Sequence, residues 1–293
     1  MPPITRVGVV AKSRLQAATP HLVDVEQWFG AHRVDAVFET ATAALMPANP
    51  ARRIADKQSL VADVSLVLVL GGDGTLLSMA DCIGRAAVNV PILGVNFGSL
   101  GFLTEVTLPE LYPALEAALA GNTHVEERLM LRATITRPAS APTTEIAVND
   151  VVINKGARSR LIDLSISVGD SLVTTVRADG LIIATPTGST AYNLAAGGPI
   201  VQPSVDALVL TPIAPHTLTN RPIVIPSSSI VRVKPMMDER DEVFVTFDGQ
   251  AGCELHAGDE ISVCRASEPM RLLRPATRSY FEVLREKLNW GKR

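Results

Sequence analysis

Up to Gly121 the apolar positions fall in short unbroken runs, each followed by a stretch at helical spacing. Arg6 to Ala11 (RVGVVA) predicts a strand. Thr19-Pro20 predicts a cap and a first-turn proline for a helix carrying Leu22, Val25 and Phe29 and closed by Gly30. Asp35 to Glu39 predicts a second strand, and the Pro- and Ala-rich stretch from Thr40 to Pro50 predicts a loop. Val64 to Leu70 is a longer apolar run that ends in Gly71-Gly72-Asp73-Gly74-Thr75. Leu76, Leu77, Ala80 and Ile83 then recur at helical spacing, which predicts strand, tight turn and helix. Pro91 to Val95 predicts another strand, followed by the glycine-containing loop Asn96 to Phe102. Pro109 to Ala120 predicts an amphipathic helix with Leu111, Leu115 and Leu119 in line and Gly121 as its stop.

Beyond Gly121 the period changes from helical to alternating. Leu129 to Arg137 and Leu161 to Val168 alternate apolar and polar residues. Ala207 to Ile213, Ile230 to Lys234, Glu242 to Phe247, Glu260 to Cys264 and Met270 to Arg274 are further short strand candidates. The last element returns to helix, with a capping box at Ser279-x-x-Glu282 and Phe281, Leu284 and Leu288 on one face. The expected fold is an α/β N-terminal nucleotide-binding domain, a parallel sheet with helices, plus a mostly β, sandwich-like C-terminal domain. The C-terminal helix is expected to pack back on the N-terminal domain, because an amphipathic face must be buried somewhere. The expected domains are therefore 1–127 plus 276–293, and 128–275.

Composition narrows the class. A chain of 293 residues, 47% hydrophobic and 19% charged, can bury a full core, enough for about two domains of ~150 residues each. No apolar stretch approaches a membrane span, and the first residues run into a short strand rather than a signal-peptide core, so no membrane partner and a cytoplasmic location are expected. Cys82, Cys253 and Cys264 lack C-x-x-C spacing, which suggests neither a disulfide framework nor a zinc site. A net charge of -3 without long basic runs gives no support to nucleic-acid binding.

Three stretches carry candidate chemistry. At the start of the helix after Gly71-Gly72-Asp73-Gly74-Thr75, unpaired backbone N–H groups favour an anion, and the glycines let a phosphate approach. The alternative is a plain Asp-Gly turn, although the helical period after Thr75 argues against a hairpin. Val176 to Ile200 reads VRADGLIIATPTGSTAYNLAAGGPI, where Thr185, Thr187, Ser189 and Thr190 cluster hydroxyls around Pro186 and Gly188. Such hydroxyls either hold a nucleoside or cap a turn. Asn149-Asp150 interrupts the apolar run Ile146 to Ile153, and its carboxylate needs either a structural partner or a ligand hydroxyl.

GGDGT after a hydrophobic strand, Asn149-Asp150, RADGLIIATPTGSTAYNLAAGGPI, PHTLTNRP (Pro215 to Pro222) and FDGQ (Phe247 to Gln250) together resemble bacterial NAD kinases over nearly the whole chain. GGDG alone also resembles diacylglycerol kinases, sphingosine kinases and phosphofructokinases; the TPTGSTAY segment separates them. The resemblance implies transfer of a phosphoryl group from ATP, or another donor such as polyphosphate, to the 2′-hydroxyl of the adenosine ribose of NAD. A divalent metal cation, Mg²⁺ in the first instance, is implied, as is a homodimer or homotetramer.

By the same resemblance Asp73 is the general base, and Gly71, Gly72, Gly74 and Thr75 shape the phosphate region. Asn149 and Asp150 hold ribose hydroxyls, and Arg177 and Asp179 line the nicotinamide side. Thr187, Thr190, Ala191 and Tyr192 line the adenine side, while Arg160, Asn193, Ala195 and Gln250 match further positions of the NAD pocket. Two departures stand out. Asn149-Asp150 replaces the commoner Asn-Glu, and Ser78 occupies a position where some relatives carry a basic residue, which leaves Arg14 as a candidate source of cation. The alternatives are a related kinase acting on a lipid or sugar hydroxyl, and a non-catalytic NAD(P)-binding module.

Overall fold

The strand Leu66–Gly71 is buried at every position, without alternation. This is the signature of a parallel strand covered on both faces. In the computed structural model, which describes residues 3–98, 100–138, 140–156, 161–237, 241–250, 252–274 and 278–291, that strand lies inside an eight-stranded sheet. The order runs from Arg53–Ala55 through Asp35–Glu39, Arg6–Ala11, Leu66–Gly71, Ile92–Asn96 and Met270–Arg274 to His124–Arg128, and Val106–Thr107 also pairs with Ile92–Asn96. Neighbours from Arg53–Ala55 to Ile92–Asn96 pair in parallel. Helix Thr19–Ala31 turns Leu22, Val25 and Phe29 into the core, each such burial contributing roughly 1.5–3 kcal/mol.

The chain divides into two compact units, Met1–Glu127 with Met270–Arg293, and Arg128–Pro269. The second unit ends at Pro269. Met270–Arg274, expected in the β domain that ends at 275, pairs in parallel with Ile92–Asn96. A five-residue strand reading MRLLR carries no mark of which sheet it will join, and only a partner edge decides it.

Other local expectations are adjusted. Thr40–Ala43 is a short helix rather than loop, because the Glu39 carboxylate accepts the Thr42 N–H and caps it. Ala18 is the N-cap residue of Thr19–Ala31, and the Thr19 hydroxyl donates instead to Leu45 O. Helix Tyr280–Lys287 has the expected Ser279/Glu282 capping box, but it buries Val283 and Leu284 and leaves Phe281 exposed. It groups with the first unit, and its Lys287 ammonium lies 5.7 Å from the centre of the Phe102 ring. No helix among the described residues is long and apolar enough to cross a membrane.

The second unit consists of two six-stranded sheets, all of whose described pairings are antiparallel. Alternating residues of both sheets meet in one core, with Leu131, Leu164 and Val233 from one and Ile153, Leu181 and Val245 from the other. Strand Gly180–Ala184 is buried on both faces. Its outer face, with Ile182 and Ala184, is covered by Ala196 and Val201 from the segment that follows the hydroxyl cluster.

Candidate active site

In the first unit the connection order creates a crevice. Strand Arg6–Ala11 pairs with Asp35–Glu39 on one side and with Leu66–Gly71 on the other. The chain leaves this strand in one direction and later returns on its opposite side, so no crossover bridges the strand ends between Arg6–Ala11 and Leu66–Gly71, and ligands bind at such a gap. Lys12, which follows the first strand, donates its backbone N–H to Leu70 O at 2.9 Å and so sits beside the glycine loop. One cavity of about 400 Å³ is lined by Lys12, Glu39, Lys57, Gly74, Thr75 and Ser78 among others. A second cavity, also about 400 Å³, is lined by residues that include Lys12, Gly72, Asp73, Asn96, Gly98 and Lys287.

Asp73 is the first residue of helix Asp73–Ala86, with Gly72 as N-cap. A carboxylate there is favoured by the helix dipole. Its Oδ2 accepts the Phe102 N–H at 2.8 Å. Its Oδ1 accepts the N–H groups of Leu103 at 3.1 Å and Thr104 at 2.9 Å, and the Thr104 hydroxyl at 2.9 Å. Asn96 Nδ2 in turn donates to Thr104 Oγ1 at 3.1 Å. The loop after Ile92–Asn96 is therefore folded around the Asp73 carboxylate. Gly101 is required for this approach, since a Cβ there would overlap Asp73 Oδ1 and Thr104 Oγ1. Gly101 lies in the glycine-containing loop expected from sequence and Thr104 lies beyond it, but the contact of either with Asp73 exists only once the two loops are adjacent.

The cations also come from outside the motif. Lys57 donates from Nζ to Ser78 Oγ at 2.6 Å, and it lines the first cavity together with Lys12, whereas Arg14 is absent from that lining. Arg14 follows the same strand but sits in a left-handed turn, with φ of 61°.

In the second unit the candidate residues gather where strands change sheets. Ser140–Ala147 belongs to one sheet and Asp150–Lys155 to the other, so Asn149-Asp150 marks a corner rather than the middle of a strand. Asp248 clamps this corner. Its carboxylate accepts the N–H groups of Val148 at 2.8 Å, Asn149 at 2.7 Å and Asp150 at 3.1 Å. Asp248 and Gly249 form a turn with positive φ values of 51° and 66°, which aims the Asp248 carboxylate at the corner. Asp150 is 3% exposed. Burial, reinforced by the charge of Asp248, pushes its carboxyl up to about 7.

The hydroxyl cluster is tied to the same corner. Thr185 donates from Oγ1 to Val148 O at 2.6 Å and accepts the Gly188 N–H at 3.0 Å, while Thr185 N donates to Asn149 O. Gly188 lies against the Asn149 backbone, where a Cβ would have no room. Thr187 accepts a hydrogen bond from the buried Arg128 at 3.4 Å, an arginine the motifs did not indicate. Thr190 donates to Thr187 O. Thr190 and Ala191 are half-buried, and Tyr192 and Ala195 are exposed.

Asn193 is different. It is fully buried, donates to Ser189 O and Pro199 O, and accepts from Thr211 Oγ1. Its amide holds the segment together. Arg177 pairs with Asp163 at 3.1 Å and Asp179 with Lys155 at 2.8 Å. Gln250 is exposed in the turn after Phe247. Arg160 lies outside the described residues.

A parallel α/β unit with a glycine loop at its switch point, a carboxylate in the first helical turn and lysines around an open cavity defines a nucleotide-binding protein whose site suits phosphate groups. The family model of the ATP-NAD kinase N-terminal domain matches residues 7–123, and that of the ATP-NAD kinase C-terminal domain matches residues 148–275. The chain is 43% identical over 288 residues to the NAD kinase of Geobacter sp. (strain M21), covering 98% of this chain and 99% of that one. It is 54% identical over 228 residues to the NAD kinase of Geobacter metallireducens, covering 78% and 80%. Among solved structures it resembles yeast NADH kinase complexed with NADH, with a TM-score of 0.90, 27% identity, and 99% and 89% of the two chains covered. It also resembles an NAD kinase from Archaeoglobus fulgidus in complex with ATP, with a TM-score of 0.74, 25% identity, and 96% and 99% covered. The chain belongs to the ATP-NAD kinase family.

Proposed function

We propose that this chain is an NAD kinase in which Asp73 is the general base. The 2′-hydroxyl oxygen of the NAD adenosine ribose attacks the terminal phosphorus of ATP or another phosphoryl donor. The new O–P bond forms as the bond to the leaving phosphate breaks, and the hydroxyl proton passes to Asp73 and then to solvent, giving NADP and the donor shortened by one phosphoryl group, ADP when the donor is ATP. A free hydroxyl is a poor nucleophile, and a carboxylate in hydrogen-bond reach typically contributes ~10²- to 10⁴-fold. Positioning and charge neutralisation supply the rest, because phosphoryl transfer leaves little covalent chemistry to the protein.

The observation that carries this reading is the environment of Asp73: a carboxylate in a glycine loop, oriented by N–H groups of residues 102 to 104 and opening on a cavity. A carboxylate offers about four lone-pair sites, two on each oxygen. Oδ1 accepts three of the hydrogen bonds and Oδ2 one, so Oδ2 keeps a site for the substrate hydroxyl.

Gly71, Gly72, Gly74 and Thr75 are assigned to the phosphates. Asn149 and Asp150 are assigned to ribose hydroxyls, Thr187, Thr190, Ala191 and Tyr192 to the adenine, and Arg177 and Asp179 to the nicotinamide side. Among the described residues no three His, Cys, Asp or Glu side chains gather as a metal cage. Mg²⁺ binds chiefly through water and phosphate oxygens with one or two carboxylates, so the residues present suit a Mg²⁺ carried by the donor phosphates, where it neutralises charge.

Membership of the family suggests a homodimer or homotetramer, which light scattering of the purified protein tests. Three cysteines with free thiols suit the cytoplasm. The decisive experiment is NADP formation from NAD, ATP and Mg²⁺, read with an NADP-specific dehydrogenase. Wild-type protein is expected to produce NADP, and Asp73→Asn to lose turnover by ~10²- to 10⁴-fold while still binding NAD. Absence of NADP with every donor and metal sinks the kinase reading; full activity of Asp73→Asn sinks only the base.

A further inference from the structure

The first cavity contains a lysine that the local structure does not need. Lys57 opens helix Lys57–Asp63, where the helix dipole disfavours a cation. Its neighbour Asp56 is occupied elsewhere, accepting the Gln58 and Ser59 N–H groups and the Ser59 hydroxyl. Among the described residues Lys57 forms no ion pair. It lies half-buried with Nζ donating to Ser78 Oγ at 2.6 Å. An ammonium has three donors, so the bond to Ser78 leaves two for a ligand.

The surroundings point to an anion. Lys12 and Lys57 line the cavity with Gly72, Gly74 and Thr75. The acidic residue of the lining, Glu39, has Oε2 engaged by the N–H and hydroxyl of Thr42. The Asp73 carboxylate belongs to the other cavity. The two cavities share Lys12 and Gly72, so a phosphate chain whose reacting end lies at the glycine loop can extend into the first while an acceptor occupies the second.

Resting on the kinase reading above, we propose that Lys57, seated on Ser78, binds the phosphate chain of the donor and sets the affinity for donor without affecting that for NAD. Charged hydrogen bonds of this kind contribute enough for a ~10- to 100-fold change in affinity.

The test is steady-state kinetics with Mg-ATP and NAD varied separately. Lys57→Met is expected to raise KM for ATP by ~10- to 100-fold and to leave KM for NAD within about twofold. Lys57→Arg should retain most of the affinity. The double variant K57M/S78K, which moves the ammonium across the same contact, should recover most of what K57M loses. A purely structural lysine would not be rescued in that way. As a readout independent of turnover, inorganic triphosphate should raise the Tm of wild type and of K57M/S78K but not of K57M. Ser78→Val keeps the ammonium and removes its seat, and should raise KM for ATP by a smaller factor; it serves equally if K57M does not fold. Unchanged KM for ATP in both K57M and Ser78→Val, equal rises in the two KM values, or failure of S78K to rescue overturns the proposal. Each of these outcomes leaves NADP formation by wild type intact, whereas a wild type that makes no NADP fails the kinase reading itself.

Discussion

The glycine loop of the first unit and the strand corner of the second hold the carboxylates of Asp73 and Asp150 in opposite environments. Asp73 accepts hydrogen bonds from three backbone N–H groups and one hydroxyl. Asp150 is buried beside a second carboxylate, Asp248, which has taken the available corner N–H groups, including that of Asp150 itself. The same side chain is thereby held by donors in one place and driven towards its neutral form in the other. What differs is the supply of backbone donors. A helix start and a folded loop offer many, whereas a strand corner offers few, and Asp248 takes three of them.

The sharpest test of this contrast is the pH dependence of stability. Asp150 titrates near 7 in the folded protein and near ~3.9 in an unfolded chain. The folded state therefore holds the proton more tightly. Stability from this group is complete below the unfolded value, falls as pH rises, and levels off above about 7, a change on the order of 4 kcal/mol. Urea unfolding from pH 4 to 8 is expected to show this decline in wild type and to show it largely abolished in Asp150→Asn. An unaltered slope in the variant would break the contrast at its second half.

Asp248→Ala removes the acceptor of three corner N–H groups. A loss of about 3 kcal/mol is expected, since a buried N–H left unsatisfied costs ~1–3 kcal/mol and the terms are not additive. Guanidinium unfolding reads it, and a loss under ~0.5 kcal/mol would mean that water replaces the clamp.

Gly101→Ala probes the other carboxylate. The added methyl displaces either Asp73 or Thr104. Turnover is expected to fall by ~10²-fold, the cost typical of a reacting group misplaced by about 1 Å, with KM for NAD changing far less. Wild-type kcat in this variant would show that the orientation of Asp73 by the loop is immaterial.

The smallest effect belongs to the C-terminal helix, whose Ser279 and Glu282 cap one another. Ser279→Ala should cost ~1 kcal/mol, read as a modest fall in Tm. Activity should be retained unless fraying of the helix carries Lys287 away from the second cavity.

Much of this protein was determined by its sequence alone. Period and punctuation marked the strand–loop–helix at Leu66 to Ala86, the change to alternating strands after Gly121, and the capping box at Ser279, because each depends on neighbours a few residues away. Resemblance in ordered motifs indicated the family. Only the tertiary structure decided that Met270–Arg274 joins the parallel sheet, that Asn149-Asp150 is a corner between sheets, and that the Asn193 amide is hydrogen-bonded within the fold. The same holds for Lys12 and Lys57 beside the glycine loop, Gly101 and Thr104 around Asp73, and Asp248 on the corner. The physical reason is common to all of them. A hydrogen bond or close approach between residues distant in the chain leaves no periodic trace, since it is satisfied by position in space rather than by spacing in sequence.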